Sequence, residues 1–236
     1  MGLQVNNLKA GYAGHVVIDD LSFSVPNGQI VALVGLNGAG KSTTLKQVIG
    51  QGRLLGGSIS LDGRDLTSQP FEYKQLLAYI PEQPILYDEL TLAEHLHLML
   101  EAHGQDDKTH WSRVEELLSM FRLNGKEHWL PIHFSKGMKQ KVMLVAAFAV
   151  DSQLLVIDEP FLGLDVLAQK QLIALMKEKA QNGTAVLLTT HLLDQAKQYV
   201  DSFLLLEEGR VSFAGSAEEL AQSKNKTNDS LDDLFS

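Results

Sequence analysis

Hydrophobic spacing divides the chain into two regimes. Over the first 80 residues the apolar positions come in short runs broken by turn residues, which predicts strands. Gln4–Leu8 and Val16–Ile18 are two such runs. Pro26-Asn27-Gly28 is a turn, and Gln29–Val34 after it reads as a buried strand. Gly57–Leu61 runs into Asp62-Gly63, the pattern of a strand entering a hairpin. The spacing then lengthens. Leu92, Leu96, Leu98, Met99 and Leu100 mark a helix over Thr91–Glu101, and Val114, Leu117, Leu118 and Phe121 mark another over Trp111–Arg122. A helical region therefore spans roughly 88–130.

The last third alternates. A helix over Ser135–Val150 leads to the apolar strand Leu154–Ile157, then helix 165–180, strand 185–190, helix 191–199 and a strand ending at Glu207-Glu208-Gly209-Arg210. Strands that alternate with helices predict a mainly parallel α/β sheet. The expected organisation is one domain over 1–220, with a helical part at about 88–145, and a flexible acidic tail over 221–236. The tail is polar from Lys224, with Leu231, Leu234 and Phe235 scattered among Asp232 and Asp233. These apolar residues could dock on a partner, but a solvated end is the simpler expectation.

Composition narrows what such a domain can do. The chain has 236 residues, no Cys, a net charge of −9 and 44% hydrophobic residues, enough for a sizeable core. Without Cys there are no disulfides, thiolate zinc sites or cysteine nucleophiles, which fits a reducing compartment. An acidic chain disfavours general nucleic-acid binding, which needs clustered Lys and Arg. The longest apolar run, Val142–Val150, has nine residues, against the roughly 18–20 of a membrane span. The start, MGLQVNN, lacks the order of a secretion signal, and Asn6 stands where myristoylation wants Ser or Thr. The expectation is a protein acting from water, with any membrane role supplied by a partner.

Gly35-Leu36-Asn37-Gly38-Ala39-Gly40-Lys41-Ser42 fits G-x-x-x-x-G-K-[ST] in full. It follows the apolar strand Ile30–Val34 and opens a helical stretch from Thr43, the strand–loop–helix setting that a phosphate loop requires. Glycines let backbone N–H groups turn inward around a triphosphate, and the following helix points its positive end at the anion. Lys41 can reach the β- and γ-phosphates, Ser42 can ligate Mg²⁺, and Thr43 joins the nucleotide-binding set.

The strand Leu154–Ile157 ends on Asp158-Glu159. A buried strand stopping on two adjacent carboxylates is costly unless solvent or a cation compensates. With a phosphate loop upstream, Asp158 is expected to hold Mg²⁺, directly or through water, and Glu159 to polarise the water attacking the γ-phosphate. His95, His97 and His103 form no metal set, because 95 and 97 diverge on a helix.

Three further segments carry a family resemblance: Phe134-Ser135-Lys136-Gly137-Met138-Lys139-Gln140-Lys141 before the carboxylate strand, Phe161-Leu162-Gly163-Leu164-Asp165 after it, and His191 beyond the next strand. With the phosphate loop and carboxylate pair, this order resembles the ATP-binding-cassette (ABC) ATPases over about residues 3–220. The resemblance implies a P-loop NTPase (RecA-like) α/β core with an antiparallel β subdomain and a helical subdomain. It implies that Tyr12 stacks on adenine, and that Ser135 and Gly137 contact the γ-phosphate of a nucleotide held by a second copy. His191 would contact the γ-phosphate in its own copy, and Asp165, in the loop after the carboxylates, would belong to the nucleotide-binding set. The signature departs from Leu-Ser-Gly-Gly-Gln at Lys136 and Met138. Where the family has glutamine after a proline, Pro81 is followed by Glu82 and then Gln83; Glu82 takes that place by counting and could ligate Mg²⁺ or its water, while Gln83 could substitute with a one-residue shift.

Ile80–Thr91, Glu94-His95-Leu96 and Phe134–Met138 together look like the Ecs-type ABC transporter ATPases of Gram-positive bacteria. That resemblance implies an ATPase that binds ATP with Mg²⁺, pairs with a second copy, and docks on integral membrane subunits at the cytoplasmic face of the plasma membrane, with roles in peptide handling and protein secretion. The rival reading is a soluble ABC ATPase acting on nucleic acid or ribosomes; the chain lacks the tandem cassette or long insertion of that class, and its charge is unfavourable for it. An unrelated phosphate-loop kinase would not need Phe134–Lys141 or His191.

Overall fold

The computed structural model describes residues 1–12 and 15–223. Among the described residues, two sheets and eight α-helices build three layers. The strands are β1 (Leu3–Tyr12), β2 (His15–Val25), β3 (Ile30–Val34), β4 (Gly56–Leu61), β5 (Arg64–Asp65), β6 (Leu77–Ile80), β7 (Leu154–Asp158), β8 (Ala185–Thr189), β9 (Ser202–Glu207) and β10 (Arg210–Gly215). The helices are α1 (Lys41–Val48), α2 (Pro70–Gln75), α3 (Leu92–Ala102), α4 (Lys108–Met120), α5 (Lys136–Ala149), α6 (Val166–Gln181), α7 (Leu193–Ala196) and α8 (Ala217–Ser223).

The middle layer is a six-stranded sheet ordered β10-β9-β3-β8-β7-β6, parallel except for β10. Its inner strands are apolar at nearly every position, so both faces must be covered. Along β3, Ile30, Ala32 and Val34 pack on one side with helices α3 to α6, while Val31 and Leu33 pack on the other with Leu45 and Val48 of α1. That second side is closed by an antiparallel sheet ordered β2-β1-β4-β5, through residues such as Leu3, Val5, Ile18 and Ile59. Helices α3 to α6 begin where short oxygen-bearing side chains cap them. Thr91 forms a reciprocal capping box with Glu94, and Asp107, Ser135 and Asp165 accept N–H groups at the starts of α4, α5 and α6.

The α/β alternation, the 57–65 hairpin and the helical region are as the spacing predicts. Four features differ. β2 runs through the polar pair Asp19-Asp20, because Asp20 takes φ 67° and the register against β1 slips nearby, which hides the strand's alternation. β6 and α2 are too short for a periodic signal. α7 has four residues where the spacing predicts a helix over 191–199, because the chain turns down to Asp201, whose carboxylate accepts the Ile30 N–H at 2.7 Å. Helix α8 includes residues 221–223, with Ala221 buried against the core. The expectations for 224–236 lie outside the described residues. His95 is a packing residue: it is buried, and its Nε2 accepts the Tyr87 N–H at 2.8 Å.

Candidate functional site

The carboxyl ends of β3, β7 and β8 open on one cleft of about 790 Å³. Adjacent parallel strands whose ends deliver loops to one edge make this the natural ligand position of such a sheet. The loop after β3 takes a path that only glycine tolerates. Gly35 has φ 154°, and a Cβ there would lie 2.4 Å from the Leu206 carbonyl oxygen. Gly38 has φ 84°, and a Cβ there would meet nothing within 4 Å, so that side of the loop is open. Gly40, at φ 108°, starts α1.

The Lys41 ammonium turns back over this loop and donates to the Gly35 carbonyl at 2.6 Å and the Leu36 carbonyl at 3.2 Å. Burial holds it below the usual lysine range, with Glu159 and Asp158 opposing that shift. Asn37, Gly38, Gly40, Lys41, Ser42 and Thr43 line the cleft. Gly35, Leu36 and Ala39 complete the loop without lining it; Ala39 is buried, and its carbonyl accepts the Gly209 N–H at 3.1 Å.

Asp158 and Glu159 face the same cleft. Glu159 has φ 49°, a left-handed conformation uncommon for a residue with a side chain. Its Oε2 lies 3.0 Å from His191 Nδ1. Burial lifts the Glu159 carboxyl above its ordinary value; Asp158 adds to the lift, while His191 and Lys41 oppose it. Glu82 lines the cleft and Gln83 does not. Tyr12 stands at the rim, 69% exposed, a free aromatic face at the end of β1.

Ser135, Gly137 and Asp165 are not brought into this cleft. Ser135 is exposed and caps α5, its Oγ accepting the Met138 N–H at 3.3 Å. Asp165 caps α6 and accepts from Lys141 Nζ at 2.7 Å, which together with the Ala168 N–H holds its carboxyl below the usual range. Of the two signature departures, Lys136 is exposed, whereas Met138 packs on the main core.

Three contacts escape a reading of the sequence. Thr189 on β8 touches both carboxylate residues; Gln140 donates from Nε2 to the carbonyl of Pro81, just before Glu82, at 3.4 Å; and Gln169 of α6 lines the cleft. The cleft's inward-turning glycine loop fits a nucleotide triphosphate, and its hard oxygen donors, the Ser42 hydroxyl and the Asp158 and Glu82 carboxylates, suit Mg²⁺.

Residues 18–162 match the ABC transporter family. The chain belongs to the ATP-binding subunits of ABC transporters. It is 45% identical to the ABC-type transporter ATP-binding protein EcsA of Bacillus subtilis over 99% of this chain and 94% of that one. It is 34% identical to the SkfA peptide export ATP-binding protein SkfE of the same organism, over 89% of this chain and 87% of that one. A solved ATP-binding subunit of an ABC transporter superposes with a TM-score of 0.94 at 46% identity, covering 99% of this chain and 98% of that chain. As an ABC ATP-binding subunit the protein is an ATPase whose hydrolysis of ATP powers transport, and the Ecs-type resemblance agrees with the EcsA similarity. Among the described residues, no helix is long and apolar enough to cross a membrane.

Proposed function

We propose that two copies close head to tail around two ATP molecules and drive a separate integral membrane subunit at the cytoplasmic face of the membrane. The carrying observation is a division of the motif set. Phosphate loop, carboxylates and His191 share one cleft, while Ser135 and Gly137 lie elsewhere in the same chain. A second copy supplies what the first cleft lacks. The exposed start of α5, whose first N–H groups have no acceptor within the helix, offers that copy's anion contact beside Lys136.

In the closed pair Tyr12 stacks on the adenine, and the loop N–H groups with Lys41 hold the phosphates. Ser42, Asp158 and Glu82 would hold Mg²⁺, which would supply positive charge beside the phosphates. Glu159 takes the proton of the attacking water, and His191, 3.0 Å from its carboxylate, orients it and contacts the γ-phosphate. Gly137 and Asp165 hold the shared edge between copies. Peptides are the proposed cargo, supported by the similarity to SkfE. The test is Glu159→Gln with ATP: retained binding, hydrolysis slowed by orders of magnitude, and a dimer by light scattering. Turnover at the wild-type rate would overturn the assignment of the base.

A further inference from the structure

Thr189 is buried, 1% exposed, at the last position of β8. The parallel register sets it directly beside Asp158 on β7, so the two side chains leave the sheet on the same face. Its hydroxyl donates to Asp158 Oδ1 and accepts the backbone N–H of Glu159 at 3.1 Å. That N–H belongs to a residue with φ 49°, which has turned out of the strand ladder. One hydroxyl thus fixes a carboxylate oxygen of Asp158 and the backbone from which the Glu159 side chain departs. The two bonds reinforce each other, since accepting an N–H polarises the O–H for donation. The β-branched side chain also has few rotamers, so the hydroxyl stays between its partners.

We infer that Thr189 is a positioning residue for hydrolysis: it leaves Oδ2 of Asp158 for the divalent cation and holds Glu159 in its left-handed turn. The inference rests on the reading of Asp158 and Glu159 given above. Thr189→Val keeps the volume and the branching but removes both bonds, leaving a part-buried acceptor and a part-buried N–H without this partner. Thr189→Ser keeps both bonds.

The experiment compares the full-length wild type with Thr189→Val, Thr189→Ser and Asp158→Asn. It reads steady-state ATPase, ATP affinity in EDTA, Mn²⁺ affinity of the ADP complex by electron paramagnetic resonance, and melting temperature. Thr189→Val is expected to lower kcat about tenfold or more and weaken Mn²⁺ severalfold, with ATP affinity in EDTA and KM within about twofold of wild type. Thr189→Ser should recover most of both losses. Wild-type kcat and Mn²⁺ affinity in Thr189→Val, alongside their loss in Asp158→Asn, would overturn the role of Thr189 alone. Unchanged hydrolysis and Mn²⁺ binding in Asp158→Asn would overturn the site reading and this inference with it. A loss in Thr189→Ser as large as in Thr189→Val would also overturn it, because the hydroxyl would then not be the operative group, and this comparison stands even if the valine variant folds poorly.

Discussion

A methyl group on Gly137 would lie 2.8 Å from the carbonyl oxygen of Gly163. The start of α5 and the loop that follows Glu159 are therefore in direct backbone contact, and Lys141 with Asp165 ties them a second time at 2.7 Å. The Ser135 region and the loop after Glu159 are thus joined at two points.

Gly137→Ala should push this loop away. ATP binding to one copy is expected to stay within about threefold of wild type, because the phosphate loop is untouched. Hydrolysis should fall about tenfold or more, in line with the cost of a small misplacement near a reacting centre. Equilibrium binding of a fluorescent ATP analogue and steady-state turnover check the split.

Lys41→Met removes the cation that bridges the Gly35 and Leu36 carbonyls. Nucleotide affinity should drop about tenfold or more, since charge-assisted contacts to phosphate are worth on the order of 1.5–3 kcal/mol. Calorimetric titration with ATP reads this directly.

Glu159 must be ionised to accept a proton, and its carboxyl sits above its ordinary value of 4.5, chiefly through burial. The acid limb of the kcat profile is therefore expected above pH 4.5, with activity lost as pH falls through the raised value. The sign for stability is opposite to that of a salt-bridged carboxylate. The folded state holds the proton more tightly than the unfolded chain, so this group favours folding as pH falls and opposes it at neutral pH. Glu159→Gln should flatten the acid limb of residual activity and raise the melting temperature at pH 7. A lower melting temperature in the variant would contradict the direction of the shift.

Asp165 serves as a cap and as an ion partner, and two substitutions separate the roles. Asp165→Asn keeps an N-cap oxygen and loses the charge; because the Asp165 side chain is itself exposed, stability should change by less than about 1 kcal/mol. Asp165→Ala loses both and should cost about 1 kcal/mol more. Urea unfolding measures the two differences.

The site is legible in the sequence where its chemistry is local. The phosphate loop and the Asp158-Glu159 pair are contiguous motifs next to apolar strands, and these motifs lie at strand ends on one edge of the sheet. What depends on register is not legible. Thr189 and Asp158 are 31 residues apart and meet only because β7 and β8 align at that pair. Glu82 and Gln83 are neighbours in sequence, and only the fold gives one of them a place on the cleft wall. β2 reads short because an irregularity at Asp20 interrupts its alternation, and β6 has too few residues to show any.

The strand that carries the phosphate loop has no neighbour near it in sequence. β3 lies between β8 and β9, with Ile30 beside Val186 and Val31 beside Ser202. Closing loops of this length is entropically costly and slow compared with forming local helices. During synthesis the Gly35–Ser42 segment emerges early, but its flanks are completed only once β9, which ends at Glu207, has left the ribosome. A nascent chain halted before β8 would carry the whole phosphate-loop motif without the sheet that shapes it, so nucleotide affinity should arise late and all at once as the last third of the chain is added.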